Sequence, residues 1–157
     1  MKNFTESANA YYNHFETSGA FHVSQISPVL KTKIMSHKNS YRRSSANDLY
    51  NVYLFHQELH DYEKEYKFTE GVNDVVNFED CFWLIDLILD QQINLNSEIQ
   101  IWHIGRVQQN SFTLTCKNKE GHKLAEIGNL QTGFYFDDLT IIKKDNVFCL
   151  PIEENIY

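Results

Sequence analysis

The sequence predicts an α+β fold: two principal helices packed on one face of a four- to five-stranded antiparallel β-meander, preceded by an extended N-terminal arm. Three observations lead there. The hydrophobic period is helical up to residue 92 and changes to two from residue 98 onward. Leu, Ile, Val and Phe supply 45 of the 157 residues, enough to build one core. Composition shifts at residue 50: the first 50 residues hold eight of the ten serines, nine of those core residues and a charge of +3, whereas residues 51–157 carry −10. We therefore expect a polar basic arm, 1–50, and a single domain, 51–157.

In the arm, Tyr11, Tyr12 and Phe15 suit a short apolar turn, and Phe21, Val23 and Ile26 a brief strand before Pro28. The polar run from Lys31 to Ser45 holds Lys31, Lys33, Lys38, Arg42 and Arg43 with no acid, and reads as a solvated extension or an anion- or partner-docking arm. From Asn47 to Tyr66, Val52, Phe55, Leu59, Tyr62 and Tyr66 step by three and four, which predicts a helix capped by Asn47 or Asp48. After Gly71, Val72, Val75 and Val76 add a helical turn or two, against the β-branching of their side chains. The strongest helix is Glu79 to Gln92. There Cys81, Phe82, Leu84, Ile85, Ile88 and Leu89 cover most of the circumference, and Glu79, Trp83, Asp86 and Asp90 form a narrow acidic edge. Alternation then predicts strands at 99–104, 111–117, 123–127, 139–143 and 147–150. Turns at Asn118-Lys119-Glu120-Gly121 and Lys144-Asp145-Asn146 fall between them.

No apolar run approaches the ~18 residues that span a bilayer, and no basic-then-apolar leader opens the chain. The expectation is a soluble, cytoplasmic protein. Cys81, Cys116 and Cys149 form no CxxC and suit reduced, buried thiols rather than a disulfide scaffold.

Candidate chemistry is sparse. His56-Gln57-Glu58-Leu59-His60 places two histidines four apart, with Glu63 as a third ligand, but the hydrolytic zinc motif requires Glu where Gln57 stands. Asp86 and Asp90, with Glu79 and Asp80 nearby, resemble a divalent-ion pair, yet two acids at that spacing are more often an exposed face. Ser24, Ser27 and Cys116 lack a glycine elbow, and the glycines are scattered singly. No catalytic residue and no cofactor are expected. The charge pattern says more: residues 61–100 contain ten acids against Lys64 and Lys67. Asp61, Glu63, Glu65, Glu70, Asp74, Glu79, Asp80, Asp86 and Asp90, with Trp83 as an anchor, form a candidate partner-binding face that attracts a basic protein surface and repels DNA.

Residues 54–154 resemble a family of bacterial proteins, a domain of unknown function common on phages, plasmids and other mobile elements. The likeness sits in Phe68-Thr69-Glu70-Gly71-Val72, Trp83-Leu84-Ile85-Asp86, Gln100-Ile101-Trp102, Thr113-Leu114-Thr115-Cys116, Asp138 to Ile141, Asp145-Asn146-Val147 and Leu150-Pro151 with Glu153. The resemblance implies a mobile-element setting in a bacterial cell and no reaction. With the acidity, it leads us to expect a non-enzymatic binding protein, an anti-defence inhibitor of anti-CRISPR type that occupies the cationic channel of an RNA-guided nuclease. Lys38, Arg42 and Arg43 are then candidates to grip phosphates of a guide RNA. The alternatives are an accessory module unrelated to defence, and a metal-dependent enzyme built on His56 and His60.

Overall fold

The computed structural model describes residues 27–38, 43–63 and 65–157, so the expected turn at Tyr11–Phe15 and strand at Phe21–Ile26 lie outside the described residues. The helices are α1 (Pro28–Lys38), α2 (Ala46–Leu49), α3 (Glu70–Phe78) and α4 (Phe82–Gln91). The strands are β1 (His60–Asp61), β2 (Lys67–Phe68), β3 (Ile99–Gln108), β4 (Ser111–Lys117), β5 (Lys123–Gln131), β6 (Asp138–Lys144) and β7 (Val147–Cys149). Among these residues, no helix is long and apolar enough to cross a membrane.

The five strands expected from alternation are all present, and β1 and β2, each of two residues, extend them to a seven-stranded sheet of order β1-β2-β7-β6-β3-β4-β5. Pairing is antiparallel except between β2 and β7. The expected meander holds only for β3–β4–β5, because β6 returns to the other side of β3. Arg106 organises that return. Its Nη2 donates to the carbonyls of Phe134, Tyr135 and Phe136 at 2.8, 2.9 and 2.9 Å, and its Nε to Asp137 at 3.1 Å. Its guanidinium also lies 4.4 Å from the Phe112 ring centroid.

One sheet face carries Trp102, Ile104, Phe112, Leu114, Cys116, Leu139 and Ile141 into the core, where Leu84, Ile85 and Ile88 of α4 meet them. His103 and Lys117 point the other way and are exposed, as the clean alternation of β4 implies. All three cysteines are buried free thiols. Burial pushes Cys116 and Cys149 up to about 12 and Cys81 higher still, which makes them poor nucleophiles.

Further expectations change. The helix expected over Asn47–Tyr66 stops at Leu49, and residues 51–59 run without regular structure. Tyr50 and Tyr53 are what the core takes here, while Val52 and Phe55 of the spaced stripe are exposed and Tyr62 enters the core only from the β1–β2 turn. The Tyr50 and Tyr53 hydroxyls donate to Glu79 and Asp74 at 2.8 and 2.6 Å, and the aromatic and β-branched residues around them favour an extended chain. Second, the Val72–Val76 segment is a full helix with every residue from Gly71 to Val76 buried, so α3 rather than α4 is the innermost helix. Third, the polar run after Lys31 is helical from Pro28 to Lys38 and buries Leu30 and Ile34, four residues apart. Ala46, Leu49 and Tyr50 follow them inward, so the core continues across residue 50. Asn47 fixes this entry by side-chain pairing with β6, accepting from Thr140 N–H at 2.7 Å and donating to Thr140 C=O at 2.9 Å.

The helix expected over Glu79–Gln92 begins only at Phe82. Asp80, at φ +49°, ends α3, and the Cys81 amide returns to the Val76 carbonyl at 3.0 Å, a Schellman closure with Asp in the position glycine usually fills. At its other end α3 is capped from the C-terminus of the chain: Glu153, 1% exposed, accepts from Thr69 hydroxyl at 2.6 Å, Gly71 N–H at 3.0 Å and Leu150 N–H at 3.0 Å. A Cβ on Gly71 would lie 2.6 Å from the Glu153 carboxylate and 2.8 Å from Leu150.

Two outcomes are expected in urea denaturation. Asp80→Gly relieves the left-handed backbone and gains about 1 kcal/mol. Gly71→Ala forces the cap apart and loses about 2 kcal/mol or more; an unchanged midpoint for Gly71→Ala would show that Glu153 does not hold α3.

Candidate functional site

The carboxylates of residues 61–100 separate into an inward and an outward set. Asp74, 3% exposed, accepts the Tyr53 hydroxyl. Glu79, with 2% of its side chain exposed, accepts Tyr50 on one oxygen and Lys38 on the other, the latter at 2.5 Å. Burial raises both tyrosines well above their ordinary value, helped by these acids. Glu70 is paired with His60, and Asp61 with Lys67 at 2.5 Å, which holds the Asp61 carboxyl below its usual range. Glu63, Glu65, Asp80, Asp90 and Glu98 are exposed, and Asp61 is exposed too despite its pairing.

Of the outward set, Glu63 and Asp90 are brought together with Asp86. Tyr62 is buried at the mouth of the β1–β2 turn, stacked on Phe68 at 4.5 Å and on Phe82 at 6.0 Å in a three-ring cluster whose Phe68–Phe82 side is 6.4 Å, which fixes that turn against α4. Its hydroxyl donates to Asp86 at 2.8 Å, and its amide closes the turn onto Tyr66 C=O at 2.8 Å. Glu63 and Glu65 ride on that turn. Burial raises the Asp86 carboxyl; the Tyr62 hydrogen bond works against the rise, and the charges of Glu63 and Asp90 add to it. Trp83, Asp86 and Asp90 share one face of α4, with Trp83 half-buried against the core. The same face continues to Ile93, 88% exposed in the 3₁₀ turn that follows. The sequence reading missed Ile93, although its three-residue step from Asp90 was visible. The corner is thus three acids on a face that continues to an exposed apolar side chain, an arrangement that attracts cationic groups and offers one apolar contact.

The other candidates are elsewhere. Arg43 is exposed, Arg42 is outside the described residues, and the Lys38 ammonium is already matched by Glu79. His56 and His60 do not share a helix face, because that helix does not form: His56 packs, tilted, against the Tyr157 ring at 4.9 Å while His60 belongs to β1. Among the described residues, no group of three or more His, Cys, Asp or Glu is placed to hold a metal ion.

The Asp86 environment sets a pH effect. Its folded proton affinity exceeds the unfolded one, so the unfolded chain ionises first as pH rises. The contribution to stability is full below the ordinary carboxylate value and declines until the folded group has also ionised. Asp86→Asn cannot titrate. Its stability relative to the wild type is expected to increase as pH is raised from about 3 to 7, and a pH-independent difference between the two unfolding curves would contradict this account.

No curated protein and no solved structure matches the chain. A model of a family of unknown function, DUF6876, matches residues 44–154. That span opens ten residues before the resemblance read from the sequence, where Ser44 C=O accepts the Asp137 amide at 3.0 Å and Ser45 bridges to Asp138, and it closes just past the Glu153 cap. The matched region takes in the sheet and every helix after α1, and the chain belongs to the DUF6876 family.

Proposed function

We propose that the protein is a non-enzymatic binding protein that docks the α4 corner on a basic protein surface. The observation that carries this reading is the gathering of Glu63, Asp86 and Asp90 beside the exposed Ile93. Charge of one sign steers a basic partner and sets the rate of encounter, and an exposed apolar side chain on the same face sets how long the complex lasts. The net charge of −7 works in the same direction.

In its finer form the proposal is an anti-defence inhibitor of mobile-element origin, of anti-CRISPR type. An RNA-guided nuclease is the fitting target because its nucleic acids lie in positively charged channels, which an acidic corner can enter in their place. Arg43, with Arg42, is the part of the arm left to meet guide-RNA phosphate, since Lys38 would first have to leave Glu79.

The test is association with a purified RNA-guided nuclease, with and without guide RNA. Glu63→Lys with Asp90→Lys is expected to slow association about tenfold at low salt and less at 0.15 M, where the screening length is about 8 Å. Ile93→Ala is expected to speed dissociation and leave the on-rate unchanged. Binding and inhibition unaffected by all three substitutions would refute this mode of docking.

A further inference from the structure

Lys38, at the C-terminal end of α1, turns away from solvent. Its Nζ lies 5.1 Å from the Phe78 ring centroid, 5.4 Å from Tyr135 and 5.8 Å from Phe136, and 2.5 Å from Glu79 Oε2. Three aromatic rings within ~6 Å of a cation, closed by a carboxylate, is the composition that recognises ammonium groups. The walls are fixed independently of the guest. The second oxygen of Glu79 accepts the Tyr50 hydroxyl at 2.8 Å, and Tyr135 packs edge-on to Phe136 at 5.2 Å. Tyr50, Phe78, Glu79, Tyr135 and Phe136 all lie within the family-matched span 44–154, whereas Lys38 lies outside it.

We infer that Phe78, Glu79, Tyr135 and Phe136 form a preformed ammonium-binding site whose resident ligand is the Lys38 side chain, and that it takes a primary alkylammonium from another molecule once Lys38 is removed. An ordinary surface ion pair keeps both partners in water and leaves no cavity behind. Here the lysine side chain is 24% exposed and the carboxylate 2%, so withdrawing the ammonium leaves a buried charge with the Tyr50 hydroxyl as its partner. The C-terminal end of α1 adds its own negative potential to the site, and the Tyr135 hydroxyl seals it by donating to Lys38 C=O at 3.1 Å. The inference is independent of the partner-docking proposal, because neither Lys38 nor Glu79 belongs to the α4 corner.

The experiment uses the full chain. Lys38→Ala is expected to melt below the wild type, and n-butylammonium chloride to raise its midpoint saturably while sodium chloride at equal ionic strength does not. The wild type should respond to neither salt in this way, and Lys38→Ala with Glu79→Gln should lose the rescue. Equal effects of the two salts on Lys38→Ala overturn the inference. If Lys38→Ala does not fold, the wild type still decides: the Lys38 ε-methylene protons are expected well upfield of ordinary lysine from the three rings, and an ordinary shift overturns the site.

Discussion

A carboxylate with 1% of its surface exposed must find its donors inside the protein, and Glu153 takes two of its three from residues more than eighty positions earlier in the chain. The Thr69 hydroxyl that would ordinarily cap α3 is spent on Glu153, and the Gly71 amide is satisfied by the same carboxylate. The first turn of α3 is therefore welded to the last turn of the fold. With that point fixed, β2 lies parallel to β7, Phe68 pairs with Phe148, and Thr69 N–H reaches Phe148 C=O at 3.0 Å. Gly71 is required for the closeness of this contact, not for its backbone conformation. Burial raises the carboxyl of Glu153 and three hydrogen bonds lower it, so the cap is held between the cost of desolvation and the gain of full pairing.

A helix anchored this way is buried on every side, and its remaining acids must be matched from within. Asp74 and Glu79 draw in Tyr53 and Tyr50, and Glu79 also draws in Lys38 from α1. These pairings decide where the N-terminal chain runs. They also explain why an acid count overstates the free acidic surface: Asp74 and Glu79 have become internal acceptors, Glu70 is bonded to the His60 ring, and Asp61 is paired with Lys67. What is left facing outward is smaller and sits where the β1–β2 turn meets α4.

The strands were legible because β3 and β4 each have one wetter face and one dry face, so period two survives in the sequence, and β6 alternates in the same way from Asp138 to Ile141. Their order was not, because nothing in the pattern of β6 records that Arg106 gathers the preceding connection against β3. The stripe from Val52 to Tyr66 misled for the opposite reason. Its spacing fits a helix, but Val52 and Phe55 are 48% and 78% exposed, and the residues that matter, Tyr50 and Tyr53, are positioned by hydrogen bonds to another helix. The valines of α3 argued against a helix on propensity and were overruled by complete burial. At the candidate site, Asp86 and Asp90 were legible from helical spacing. The join to Glu63 depends on the Tyr62 stack, which sequence period does not encode.

The break at Glu79–Asp80–Cys81 is where these two outcomes are separated. In one continuous helix, Glu79, Asp86 and Asp90 would share a stripe and repel one another along it. The Schellman closure at Asp80 ends α3 before that can happen, so Glu79 stays with the buried helix while Asp86 and Asp90 start afresh on α4. Glu79 is thereby committed to holding α1 through the Lys38 ammonium, beside the hydrogen bonds that join Ser44 to His37 and Tyr135 to Lys38 C=O. Because α1 precedes the family-matched span and the rings around its lysine lie inside it, the cation and its aromatic surroundings come from opposite sides of that boundary, while Leu30 and Ile34 tie the helix into the same core.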